Sequence, residues 1–189
     1  MSRPDEPVPV KLVSSIFGPE ASLVDKVCRR LSEVFSPVES KSEMLFFDRT
    51  RYYEREMGWP LYRRFVSFRD LVPPERLVDI KLETNSLEKR YMEKGSRGVN
   101  IDPGYISAER LILATGKNYI HRVYLSKGIF ADLTLIFQKG SFVPLKWTYP
   151  DYADKEIIAF FNDIRDRYMN QVRELRMVTD LDEAIGPAG

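Results

Sequence analysis

The sequence predicts an α+β fold: a ferredoxin-like β-α-β-β-α-β core, extended by an antiparallel three-strand meander and a long C-terminal helix. Two observations favour this fold. Strand-like and helix-like apolar patterns follow one another in that order over the first hundred residues. Two turns of similar chemistry, Ser126-Lys127-Gly128 and Gln138-Lys139-Gly140, then separate three strand-like runs.

The first six elements follow from apolar periodicity and from the Pro and Gly residues that end each pattern. Gly18-Pro19 ends the first strand, and Pro37 stops the first helix. Charged and aromatic residues between the second and third strands predict a long excursion at 48–60. The predicted strands are 8–17, 44–47, 62–68 and 99–102, and the predicted helices are 20–35 and 73–94.

The second half of the chain is predicted from turn and cap signals. Pro103-Gly104 reads as a turn, and Ser107 as the N-cap of a short helix over 111–114 that Gly116 closes. The three-strand meander follows, and a long helix is predicted over 154–178, with Asp151 as its N-cap.

The two turns set the expected register of the meander. A three-residue loop ending in Gly pairs Leu125 with Ile129, whereas a two-residue loop would force Lys127 to a costly positive φ. The same loop in the second turn pairs Phe137 with Ser141. This register places Arg122 opposite Asp132 on one face. The other face carries His121, Val123, Leu125, Ile129, Ala131, Leu133, Leu135, Phe137, Val143, Leu145 and Trp147.

Composition limits the class of protein. The 189 residues predict a single domain over 1–189 with loose tails at 1–7 and 180–189. A net charge of +1 gives no reason to expect a nucleic-acid or anionic-membrane partner. The single Cys28 excludes an intramolecular disulfide and a Cys-based zinc cluster. The sequence has no apolar run of about 18 residues and no signal-peptide core, so we expect a cytoplasmic protein.

Several motifs carry a resemblance to a known family, and the resemblance covers nearly the whole chain. They are Asn100-Ile101-Asp102-Pro103-Gly104-Tyr105-Ile106, Lys117 to Leu125, Gly128-Ile129-Phe130-Ala131, Trp147 to Tyr152, Tyr52-Tyr53-Glu54 with Glu56-Met57-Gly58, and Thr84-Asn85 with Leu87-Glu88. The chain resembles domain-of-unknown-function family 4416, an uncharacterised bacterial and archaeal family. Asn118 and Asp132 depart from the family pattern, which has an acidic residue and a Glu there.

Members of that family are often labelled GTP-binding proteins, but this chain lacks the residues of a P-loop. A P-loop needs Gly-x-x-x-x-Gly-Lys-Ser/Thr to wrap phosphates and hold magnesium. The pair Gly116-Lys117 has neither the upstream Gly nor the following Ser or Thr. GTP binding by a P-loop is therefore not expected.

His121 and Asp102 are the candidate catalytic residues, because histidine titrates near neutrality and a carboxylate can orient its ring. The competing interpretation makes His121 a hydrogen-bonded core residue and Asp102 part of a turn. The candidate ligand-binding residues are the cationic and amide groups Arg97, Asn100, Lys117 and Arg122, with Tyr105, Trp147 and Tyr149 as aromatic walls. They predict a small phosphate-bearing or other anionic ligand, and phosphoester hydrolysis is the reaction to test.

Two further sets of polar residues each allow two interpretations or a metal site. Lys81, Asn85 and Glu88 form one stripe of a helix, which is either a solvated face or a charged surface for an anion. A magnesium or manganese site would have to draw on Glu88, Asp102, Asp132 and His121, whose spacing matches no metal motif.

The alternative function is a non-enzymatic RNA- or protein-interaction module. Aromatic and basic residues between 49 and 64 suit stacking and phosphate contacts. They are Arg49, Arg51, Tyr52, Tyr53, Arg55, Trp59, Arg63 and Arg64. The competing interpretation is a loop that its aromatic rings pin to the body of the protein.

Overall fold

The computed structural model describes residues 3–48, 51, 53–93 and 95–185, and for Glu93 and residues 178–185 it describes the backbone alone. These residues form a mixed α+β structure, which confirms the predicted class. The strands are β1 Val10–Gly18, β2 Val38–Lys41, β3 Leu45–Phe47, β4 Leu61–Val72, β5 Met92–Glu93, β6 Ser96–Arg97, β7 Asn100–Ile106, β8 Arg110–Thr115, β9 Arg122–Ser126, β10 Ile129–Gln138 and β11 Ser141–Pro144. The helices are α1 Ala21–Val34, α2 Glu54–Met57, α3 Leu77–Lys89 and α4 Lys155–Ile185.

Nine of these strands make one antiparallel sheet, with neighbours in the order β11-β10-β8-β7-β1-β4-β2. Two long strands organise it. The outer edge of β4 pairs in succession with β3 and β2. One edge of β10 pairs with β8, and the other edge pairs with β9 near its start and with β11 near its end. The predicted meander therefore exists as two hairpins, but β9 and β11 lie on the same side of β10.

Helices cover both faces of the sheet, because consecutive strand residues point in opposite directions. On one face, Leu12 and Ile16 of β1 pack in a core with residues of α1 and α3. On the other face, Val13 and Phe65 pack with residues of α4 such as Phe161. Burying an aromatic side chain such as Phe161 contributes about 1.5–3 kcal/mol, so this second core holds α4 on the sheet. α4 continues to Ile185, past its predicted end at 178.

Both hairpin turns hold two residues, so the predicted three-residue loops are wrong. Lys127 and Gly128 have φ of 50° and 77°, and Lys139 and Gly140 have φ of 51° and 85°. Two successive residues at positive φ make the mirror-image turn that matches the right-handed twist of the flanking strands. That match outweighs the cost of placing a lysine in the left-handed region, the cost on which the prediction of three-residue loops depended.

The shorter turns change the register of β11, but they leave the predicted register over most of β9. Ser126 pairs with Ile129, but a bulge beside this turn restores the predicted register further along, so that Arg122 lies opposite Asp132 as predicted. Gln138 pairs with Ser141, and without a bulge the whole of β11 is shifted by one residue. The predicted continuous apolar face is therefore broken. Exposed members of it are Val123, Leu125, Val143 and Trp147.

Residues 111–114 form part of strand β8, and the predicted helix is wrong. Leu111 and Leu113 face the core beneath α4, while Ile112 and Ala114 face the core beneath α3. A short, continuous apolar run buried on both faces is typical of a central strand.

Pro103 and Gly104 lie inside β7, so the predicted turn at this pair is also wrong. A Cβ on Gly104 would lie 2.3 Å from the carbonyl oxygen of Ile112 in β8. Gly104 therefore lets the two backbones approach closely. In the part of the chain that the structure describes, we find no helix with the length and apolar character needed to cross a membrane.

Candidate functional site

The first half of β7 has an edge that another strand does not cover. β8 pairs with residues 104–106 of β7, and the described register ends there. Glu88 of α3 accepts a hydrogen bond from the backbone N–H of Ile101 at 2.6 Å, and Lys81 Nζ donates to the Ile101 carbonyl at 2.8 Å. Buried backbone groups need hydrogen-bond partners. Here the side chains of Lys81 and Glu88 supply the two hydrogen bonds that a neighbouring strand would otherwise make.

The stripe of α3 is therefore a buried surface rather than a solvated one. Lys81 and Glu88 are 6% and 7% exposed. Burial raises the pKa of the Glu88 carboxyl, against the opposing charge of Lys81 and the hydrogen bond from Ile101. Lys81 and Glu88 thus complete the backbone hydrogen bonding of Ile101. Their position also puts two ionisable groups beside Asp102.

Arg97, Asn100 and Asp102 form a connected network at this edge. Arg97 donates to Asn100 Oδ1 at 2.8 Å, and Asn100 Nδ2 donates to Asp102 Oδ2 at 2.8 Å. Arg97 also makes a two-pronged bond to Glu56 of α2, at 2.6 and 2.8 Å. The hydrogen bond from Arg97 lowers the pKa of Glu56. We call Glu56, Lys81, Glu88, Arg97, Asn100 and Asp102 the edge network.

A second polar group is built around Arg122. Its Nε donates to Asp132 Oδ2 at 2.8 Å across the hairpin, its NH1 donates to the Lys117 carbonyl at 2.9 Å, and its NH2 donates to the Tyr149 hydroxyl at 3.1 Å. Burial acts to lower the pKa of Arg122, but the hydrogen bond and charge of Asp132 raise it overall. These three hydrogen bonds hold a partly buried cation in one orientation.

His121 belongs to the same group. Its Nε2 lies 3.3 Å from Asp132 Oδ2, and its ring stacks on Trp147 at 4.9 Å and 12°. The carboxylate beside His121 is therefore Asp132, and the predicted pairing with Asp102 is not the contact that forms. The physical reason is that β9 begins at Arg122, which leaves His121 in the preceding turn. We call Lys117, His121, Arg122, Asp132, Trp147 and Tyr149 the Arg122 cluster.

The edge network and the Arg122 cluster lie close enough for their charges to act on the same groups. Burial, together with the charges of Asp102 and Tyr149, raises the pKa of Tyr53 to about 12. Lys117 adds to the lowering of the pKa of Glu56. Eight of the nine predicted site residues thus gather in two neighbouring groups.

Tyr105, the ninth predicted residue, lies elsewhere. It packs beside α3 and lines a groove of about 410 Å³ next to α4, together with residues such as Tyr168 and Val172. Successive residues of β7 point to opposite faces of the sheet, so Asp102 of the edge network lies on the face opposite to that of Tyr105. Alternation along β7 therefore separates Tyr105 from the site.

Arg63 has a structural role that was not predicted. Arg63 is 5% exposed, pairs with Asp151, and lies over the rings of Phe17 and Phe47 at 4.7 and 4.1 Å. A charged residue at an inward position of the alternating run Leu61–Phe65 was the available signal. The predicted N-cap role of Asp151 is also wrong, since α4 begins at Lys155.

In the loop assigned to RNA or protein binding, the rings of Tyr53 and Trp59 pack against the body, while Arg51 and Arg55 are exposed. Tyr53 packs edge-on against Phe17 at 4.8 Å, and Arg51 lies over Trp59 at 4.7 Å while pairing with Glu54. Arg64 is partly buried and donates to the Ser42 carbonyl. Arg49 and Tyr52 lie outside the described residues. These contacts fit the interpretation in which rings pin the loop.

No group of three or more His, Cys, Asp or Glu side chains with the arrangement of a metal site occurs within the described residues. The four proposed oxygen and nitrogen ligands divide between the two groups. Glu88 and Asp102 belong to the edge network, and Asp132 and His121 to the Arg122 cluster.

A comparison with protein families matches residues 8–168 to a domain of unknown function, DUF4416. No curated protein and no solved structure matches the chain.

Proposed function

We propose that this chain, which belongs to the DUF4416 family, binds a small phosphate-bearing or other anionic molecule at the Arg122 cluster. One observation carries the proposal. Arg122 is fixed by three hydrogen bonds to described residues, and a guanidinium has five N–H donors. One N–H on each terminal nitrogen is left for a ligand, in the forked geometry that suits phosphate and carboxylate.

The surroundings of Arg122 support a ligand that also has a planar part. Tyr149 and Trp147 are 50% and 40% exposed, and the Tyr149 hydroxyl already receives a hydrogen bond from Arg122. That hydroxyl can donate its own proton to a phosphate oxygen. Aromatic faces stack on planar rings, so nucleotides belong in the test together with sugar phosphates and inorganic phosphate.

The edge network supports the choice of Arg122 over Arg97 as the anion-binding group. Glu56 already occupies Arg97 with a two-pronged carboxylate contact. An anion at Arg97 would have to displace that carboxylate, whereas the remaining N–H groups of Arg122 need no exchange of partners. A ligand at Arg122 would lie beside Lys117, whose charge adds to the attraction.

The geometry favours binding over hydrolysis. The His121 side chain is 8% exposed and stacks against Trp147, while its Nε2 contacts Asp132. A general acid or base must reach the reacting group, and this ring instead supports the wall of the site. Release of phosphate from a bound ester, abolished by His121→Gln with binding intact, would assign hydrolysis instead.

The experiment measures thermal unfolding and titration calorimetry with inorganic phosphate, sugar phosphates and nucleoside mono-, di- and triphosphates. A ligand should raise the midpoint of unfolding as its concentration exceeds Kd. Tyr149→Phe keeps the ring and loses the hydroxyl, so affinity should fall by roughly tenfold. Tyr124→Phe, at a similarly exposed tyrosine outside the cluster, is the matched control and should bind as the wild type does. Absence of any shift across the panel would overturn the proposal.

For the fold, we propose that β1, β2, β4 and β7 with α1 and α3 form a ferredoxin-like core. The supporting observation is the antiparallel order β7-β1-β4-β2, with α1 joining β1 to β2 and α3 joining β4 to β7. This is the order fourth, first, third, second, counted along the chain among these strands. An experimental structure with a different strand order would contradict it.

A further inference from the structure

We propose that β9 pairs with β9 of a second copy of this chain, so that two sheets join edge to edge in a two-fold dimer. This inference is independent of ligand binding at Arg122. It rests on the chemistry of one edge strand and on its contrast with the other edges of the same sheet.

β9 has one edge that no other described strand covers, and its surface is unusually apolar. Within the described residues it pairs with β10 alone. Val123, Tyr124 and Leu125 are 67%, 59% and 40% exposed, and Ile120 in the preceding turn is 94% exposed. An exposed, apolar strand edge is a template for pairing with another chain.

The other edge strands of the sheet carry features that oppose such pairing. β2 contains the charged residues Glu39 and Lys41, β11 ends at Pro144, and β3 has only three residues. Charges, proline and short length are the usual protection of strand edges. Arg122 is the one charged residue in β9, and its guanidinium turns inward to Asp132. β9 therefore lacks the protection that the other edges have.

The sequence of β9 is compatible with a second copy of itself. A two-fold axis at Tyr124, the middle residue, sets Val123 of one copy against Leu125 of the other and Arg122 against Ser126. Apolar and aromatic cross-strand pairs stabilise a sheet, and like charges directly opposite destabilise it. This register makes two apolar pairs and one tyrosine pair, and it opposes no like charges.

The first test measures molar mass by sedimentation equilibrium over a range of protein concentrations. The wild type should show twice the 22.0 kDa of a single chain. Val123→Lys should return the mass to that of one chain, because it places an ammonium group opposite the apolar Leu125 of the other copy. Met177→Lys is the matched control, since Met177 is 65% exposed on α4. Circular dichroism of each variant checks that the fold is retained.

The second test is a cross-link that reads the register directly. Directly opposed residues of an antiparallel pair have Cβ atoms about 4.5–5.5 Å apart, close to disulfide geometry. Tyr124→Cys should form a covalent dimer on mild oxidation, and Met177→Cys should not. The native Cys28 is buried, and burial raises its pKa to about 11, so it does not compete.

A single-chain mass at every concentration would overturn the proposal. So would a dimer that survives Val123→Lys, an assembly larger than two chains, or Tyr124→Cys chains that oxidise no faster than those of Met177→Cys.

Discussion

At the residue scale, two charged side chains serve to complete the hydrogen bonding of the backbone. The N–H and carbonyl of Ile101 find partners in Glu88 and Lys81 because β8 does not reach that part of β7. An unsatisfied buried backbone group costs about 1–3 kcal/mol. This requirement explains why two ionisable residues lie buried on α3. Because Glu88 is buried, the stability of the fold should depend on the protonation of its carboxyl group.

We expect Glu88 to make stability fall as pH rises. Burial raises the folded-state pKa of Glu88 above its unfolded value of about 4.3. Between these two pKa values the folded state binds more protons than the unfolded state. The resulting stabilisation is complete below the unfolded pKa and is lost as pH rises through the folded one.

Urea unfolding of wild type and Glu88→Gln at several pH values tests this expectation. Relative to the variant, the wild type should lose about 1.4 kcal/mol for each pH unit between the two pKa values. Glu83→Gln, at an exposed position of the same helix, is the matched control. Parallel curves for wild type and Glu88→Gln would contradict the assignment.

At the element scale, each of the two hairpins places a lysine at positive φ, and the resulting turn matches the twist of its flanking strands. Lys139 has a φ of 51° in the turn that sets the register of β11. Asparagine tolerates this conformation better than lysine, so Lys139→Asn should raise the free energy of unfolding by about 0.5–1 kcal/mol. Lys127→Asn should gain less, because Lys127 also pairs with Asp79. Unfolding in urea measures both, and destabilisation by Lys139→Asn would refute the turn assignment.

Periodicity predicted the elements whose burial is one-sided. The helical spacing of Val24, Val27 and Leu31 fits α1, because one face of a surface helix is apolar. The same reasoning could not identify β8, since an apolar run buried on both faces has no period of its own. Local sequence therefore predicted α1, α3 and α4 but not the central strand between them.

Prediction of the site followed the same division. Arg122 opposite Asp132 is a local pairing within one hairpin, and it was predictable. The contact of His121 with Asp132 depends on where β9 begins, and the burial of Arg63 with Asp151 joins residues far apart in the chain. Such contacts depend on tertiary packing, which a single sequence does not reveal.

At the scale of the whole molecule, the sheet consists of two parts joined along residues 104–106 of β7 and 111–113 of β8. α4 spans this junction, because its core contains Val13 of β1 together with Leu135 of β10. The junction brings the β9–β11 hairpins, which carry Arg122 and Asp132 of the Arg122 cluster, next to the edge network. The integrity of the site therefore depends on a short stretch of strand pairing.

We expect Gly104→Ala to weaken this junction. A new Cβ would lie 2.3 Å from the Ile112 carbonyl oxygen and 2.7 Å from the Leu113 side chain, so β8 would have to move. The free energy of unfolding should fall by about 1–3 kcal/mol, as in other overpacked cores. Gly116→Ala is the control, because a Cβ there meets no atom within 4 Å. Equal effects of the two substitutions in urea unfolding would contradict this account.

The bond between the Ile101 amide and the Glu88 carboxylate has a consequence for the timescale of local motion. The amide protons that join β1 to its neighbours are held by backbone partners within the sheet, whereas the proton of Ile101 is held by a helix side chain. When α3 separates from the sheet, the Ile101 amide proton becomes exposed to solvent even while the hydrogen bonds between the strands remain intact. Exchange with deuterium at Ile101 therefore measures the opening of α3 alone. If Ile101 exchanges faster than its neighbours in β7, α3 and the sheet open as separate units.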